Sequence, residues 1–99
     1  AQFRKWNKQT AMRRIHRAQL LRNVAVALGN VGTRDDVPAL IAALREKSPL
    51  VRAHVVWALG VMATRLPAPE IHDVLRAHLD EDPDVREEID HALQRLPSA

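Results

Sequence analysis

SPLVRAHVVWALGVM, residues 48–62, decides how this chain folds. Val51, Val55, Ala58, Leu59 and Met62 follow the spacing i, i+4, i+7, i+8, i+11, which is one apolar stripe on a helix. Ser48 stands where a side-chain oxygen caps the free amides of a helix start. Pro49 follows at the first helical position, where its missing N–H costs nothing. The pattern recurs as DPDVREEIDHALQRL at 82–96. Residues 35–64 laid over 69–98, an offset of 34, superpose Val51-Arg52 on Val85-Arg86 and Ala58-Leu59 on Ala92-Leu93. The same offset sets Val37, Leu40 and Ile41 over Ile71, Val74 and Leu75, so each copy reads as two helices.

Working outward, a helix is predicted over 37–45, capped by Thr33 or Asp35 and with Pro38 in its first turn. Pro67 and Pro69 break the chain before a helix over 69–79. The last helix runs over 83–95 and ends before Pro97. A partial copy leads the series: 19–28 is helical, and Gly29-Asn30 reads as a left-handed C-terminal cap. Short helices around 11–16 and 3–8 precede it. No strand-like alternation occurs. The fold class is therefore all-α, a short right-handed stack of antiparallel helix pairs in one domain, 1–99. Its parts are basic leading helices at 1–17, helix pairs at 18–46 and 48–79, and a last helix at 82–96. No pair has enough apolar surface to stand alone, so neighbours must stack. Trp57 is expected to seal that stack.

Composition excludes several chemistries. There is no cysteine, which rules out disulfides, a thiol nucleophile and thiolate-held clusters within these residues. That agrees with a cytoplasmic origin. The longest apolar run, 55–63, is too short to cross a bilayer, and no membrane partner is expected. His16, His54, His72, His78 and His91 show no zinc-type spacing and read as polar helix positions. The seven acids at 80–90 read as a solvated face matched to the dipole of the last helix. Only three glycines occur, with no phosphate loop among them, and no nucleophile motif appears. No catalytic role is expected. A chain that opens on Ala rather than Met is expected to be a piece of something longer.

Charge is distributed unevenly. Residues 1–34 hold eight basic residues and no acid, whereas 35–99 hold seven basic and twelve acidic ones. The candidate binding residues are Lys8, Arg13, Arg14, Arg17 and Arg22, extended by Arg4-Lys5. Arginine forks match phosphate oxygens, and Arg13 and Arg17 share a face if one helix carries both. Two readings stay open: a face that grips a polyanion through its backbone, or arginines that pair with carbonyls and acids of the protein itself.

Two stretches carry a family resemblance. TAMRRIHRAQLLRNVAVALGN at 10–30, with Leu21-Arg22-Asn23 leading to Gly29-Asn30, resembles the start of the C-terminal HEAT-like repeat domain of epoxyqueuosine reductases. SPLVRAHVVWALG at 48–60 resembles the next repeat of that family. The family comprises iron–sulfur, cobalamin-dependent enzymes of tRNA modification in queuosine synthesis. The resemblance implies a non-catalytic repeat domain that helps hold tRNA and packs on upstream catalytic domains. The 4Fe–4S clusters and cobalamin would belong to those domains, leaving no cofactor here. It also implies phosphate contacts for Arg13, Arg14, Arg17 and Arg22, and a structural hydrogen bond for Asn23. The alternative is a protein-interaction scaffold whose basic face binds an acidic partner. Exposed stack ends would also permit a homodimer.

Overall fold

The computed structural model describes the backbone of residues 2–96 and the side chains of residues 17–96. Five helices follow one another: α1 (Gln2–Val31), α2 (Val37–Ala43), α3 (Pro49–Arg65), α4 (Pro69–Ala77) and α5 (Pro83–Arg95), with a 3-10 turn at Arg34–Asp36 ahead of α2. No strand occurs among the described residues. Helix α3 packs between α1 and α5 to make one layer, and the shorter α2 and α4 back it.

The starts of α3 and α5 are built as the sequence expects, whereas α2 begins behind Asp36 with no side-chain cap, in place of the expected Thr33 or Asp35. Ser48 Oγ accepts the Val51 amide at 3.3 Å, and Asp82 Oδ1 accepts the amides of Asp84 and Val85 at 2.9 and 3.2 Å. The Thr33 amide donates to Asp36 Oδ2 at 2.8 Å, fixing the turn before α2. Inside, Val51, Val55, Ala58, Leu59 and Met62 are all buried, as the stripe requires. They meet Ala25 of α1, Val37 and Leu40 of α2, Ile71 and Leu75 of α4, and Val85, Ile89 and Ala92 of α5. Each fully buried aliphatic side chain contributes roughly 1.5–3 kcal/mol.

The leading segment differs from expectation. Residues 2–31 form one helix, where the sequence pointed to short helices at 3–8 and 11–16 and a separate one at 19–28. No proline and no glycine precedes Gly29, so nothing stops propagation once a turn is formed. The helix also runs through Gly29 and Asn30, and among the described residues no glycine has a positive φ. Gly29 is therefore not a left-handed cap. It makes room: a Cβ there would lie 2.7 Å from the Trp57 ring and 3.1 Å from the Ala58 backbone. Gly60 does the same one layer on, where a Cβ would come within 3.0 Å of Ala92. Trp57 thus lies across α1 at Gly29, half-buried against the core.

Candidate polyanion-binding face

Lys8, Arg13 and Arg14 lie outside the residues whose side chains are described. The continuity of α1 does meet the condition set for residues 13 and 17, which occupy successive turns of one helix. Arg17 is exposed, at 63% of its side chain. Its fork donates to both oxygens of Glu46, at 2.8 and 3.0 Å. That hydrogen bond, more than the charge itself, holds the Glu46 carboxyl below its ordinary range and raises Arg17. Arg22 is half-exposed and forms no hydrogen bond or ion pair among the described residues. Asn23 is exposed, and no side-chain hydrogen bond joins it to another described residue.

Arg17 opens onto a cleft of about 650 Å³ between α1 and the turn from α2 to α3. Arg45, Glu46, Lys47 and Ser48 line the far wall, with Ala18 and Leu21 on the α1 side. Arg45 and Lys47 are exposed, so among the described residues three cations and one acid face the same space. Sequence reading passed over Arg45 and Lys47 because they stand beside Glu46 in a chain segment that is acidic on balance.

Two other arginines are structural. Arg52 donates through Nε and one terminal nitrogen to the two oxygens of Asp80, at 2.9 and 3.1 Å. Its remaining nitrogen binds the carbonyls of Glu46 and Lys47 at 2.8 and 2.9 Å. Asp80 is only 3% exposed, and it also accepts the Asp82 amide at 3.0 Å and meets His78 Nε2 at 2.9 Å. Burial pushes the Asp80 carboxyl up, but the hydrogen bonds from Arg52, Asp82 and His78 outweigh it and hold the pKa at about 2. Arg65 reaches back from the end of α3 to the carbonyl of Gly29 at 2.9 Å and of Gly32 at 3.1 Å. There it neutralises the negative end of α1. These contacts join residues far apart in sequence, and composition gave no sign of them.

The Arg17–Glu46 and Arg52–Asp80 pairs span 29 and 28 residues, and their carboxylates stand one repeat offset of 34 apart. A family model for HEAT repeats matches residues 12–94. The chain belongs to the HEAT-repeat family. This HEAT chain is 41% identical over 60 residues to an epoxyqueuosine reductase of Salmonella typhimurium, a match covering 61% of the chain and 16% of the relative. The epoxyqueuosine reductase of Alicycliphilus denitrificans is 46% identical over 68 residues, covering 61% and 19%. That of Escherichia coli K12 is 33% identical over 63 residues, covering 64% and 17%. The chain thus spans less than a fifth of the length of these curated relatives. No solved structure matches it significantly.

The sequence has no cysteine, and among the described residues no group of three or more His, Asp or Glu could hold a metal ion. No described helix is long and apolar enough to cross a membrane.

Proposed function

We propose that this HEAT stack is a tRNA-binding and scaffolding part of an epoxyqueuosine reductase-like iron–sulfur protein, without catalytic groups of its own. In that reading α1 forms the edge that follows the phosphate backbone, and the buried face of the stack keeps it rigid. The observation that carries the proposal is the charge division: the segment 1–34, almost all of it α1, bears eight basic residues and no acid. Arg22 has no partner among the described residues, and Arg17, itself exposed, has only the partly exposed Glu46 carboxylate among them, so both forks are available to phosphate. The likeness to epoxyqueuosine reductases supports tRNA as the polyanion. In such a protein the clusters and cobalamin would sit in other domains, and a cytoplasmic location follows from the same likeness.

Filter binding with tRNA tests this. Neutralising about four phosphates makes affinity fall roughly 100-fold between 50 and 200 mM salt. Replacing Arg13, Arg14 and Arg17 by Glu should abolish most of the binding. An acidic protein bound by the same face, with no measurable tRNA affinity, would select the scaffold reading instead.

A further inference from the structure

The cleft beside Arg17 combines exposed cations with a rigid support. Its far wall is anchored from inside the protein. Arg52 holds the carbonyls of Glu46 and Lys47 while its fork is locked on Asp80, so the backbone that carries Arg45, Glu46 and Lys47 is fixed before any ligand arrives. The two ion pairs differ sharply in environment. Arg52 and Asp80 are 16% and 3% exposed, and each has further partners. Arg17 and Glu46 are 63% and 26% exposed, and among the described residues each side chain has only the other. A solvated pair of this kind contributes little to stability, so its arginine exchanges partners readily.

We propose that this cleft is a phosphate-binding subsite for RNA. Arg45 and Lys47 hold a backbone phosphate on the fixed wall, and Arg17 transfers its fork from Glu46 to the same phosphate. Glu46 acts as a competing internal anion that sets how strong a ligand must be to open the pair. A single carboxylate-bearing side chain would displace Glu46 poorly, since it offers Arg17 the same chemistry. A phosphodiester flanked by further phosphates brings contacts to α1 as well. The subsite rests on the polyanion reading above, and it adds residues and a threshold that reading does not contain.

The test is fluorescence anisotropy of the 99-residue chain with a labelled RNA stem–loop, over about 50–200 mM salt. Glu46→Gln should bind several-fold tighter at the low end. Its slope of log affinity against log salt should steepen by up to about one, because no freed Glu46 carboxylate then takes up a cation on binding. Its advantage should shrink by up to about threefold across that range. Glu87→Gln, on the far edge of the stack, makes the same change in net charge and should have a markedly smaller effect. Replacing Arg45 and Lys47 by Gln should weaken binding and flatten the slope. Equal effects of E46Q and E87Q would overturn the threshold. Unchanged binding in the Arg45/Lys47 variant, with loss on replacing Arg22, would overturn the subsite and leave the polyanion reading standing. Absence of RNA binding in every form, or competition by poly-glutamate as strong as by RNA, would remove both.

Discussion

Replacing Asp80 by Ala should destabilise the fold far more than replacing Glu46, although both carboxylates accept an arginine fork at equivalent places in successive repeats. Asp80 is 3% exposed and takes hydrogen bonds from Arg52, from the Asp82 amide and from His78. Its removal leaves a half-buried guanidinium without a counter-charge and an amide without its acceptor. Breaking a buried pair in this way costs about 3–5 kcal/mol. Glu46 is 26% exposed and Arg17 is 63% exposed, so the loss there is about 1 kcal/mol or less. In a chain this size each kcal/mol moves the melting temperature by about 4–8 °C. Asp80→Ala should therefore melt more than about 12 °C lower, and Glu46→Ala within a few degrees of the parent. Asp80→Asn keeps an acceptor oxygen and should fall between. Thermal denaturation followed by circular dichroism at 222 nm reads all three. An Asp80→Ala midpoint no lower than that of Glu46→Ala would show that the Arg52 tie does not hold the repeats together.

Acid titration offers a second check. The folded Asp80 carboxyl titrates at about 2, below its ordinary 3.8, so protons favour the unfolded chain. The corresponding stability, about 2 kcal/mol, is present above pH 4 and lost as pH falls toward 2; Asp80→Asn should lose that part of the acid dependence. Gly29→Ala gains about 1 kcal/mol of helix propensity, but its Cβ would sit 2.7 Å from the Trp57 ring and 3.1 Å from the Ala58 backbone. The overlap should win, for a net loss of about 1–2 kcal/mol in thermal denaturation. Arg65→Met keeps the alkyl stem and removes the charge from the Gly29 and Gly32 carbonyls. It should cost about 1–2 kcal/mol and speed amide exchange in the last turn of α1.

How much of this was legible in the sequence depends on range. The helix starts at Ser48-Pro49 and Asp82-Pro83 and the stripe from Val51 to Met62 are local signals, and each appears where its residues place it. The stack follows from their repetition. Gly29 was misread because glycine near a helix end is ordinarily a cap, and only the neighbouring helix shows that space is what it provides. The arginines were the hardest part. Arg17, Arg52 and Arg65 are the same side chain in composition, yet one is exposed on a carboxylate, one is locked on a buried one, and one caps another helix. The carboxylates of Glu46 and Asp80 and the Gly29 carbonyl that they bind lie 28 or more residues away, and no local pattern encodes that distance. The offset of 34 does set Glu46 over Asp80, and it was the one signal from which the paired carboxylates could have been found. Of the candidate site, the positive charge was legible from counting, whereas the cleft with Arg45 and Lys47 needed the α2–α3 turn to be folded against α1.

The most direct test of a basic edge that grips RNA is an amide nitrogen–proton NMR titration of the chain with tRNA. Shifts concentrated along α1 and at residues 45–48, and reversed by added salt, are the expected result. Shifts confined to α4 and α5, or none at saturating tRNA, would contradict it.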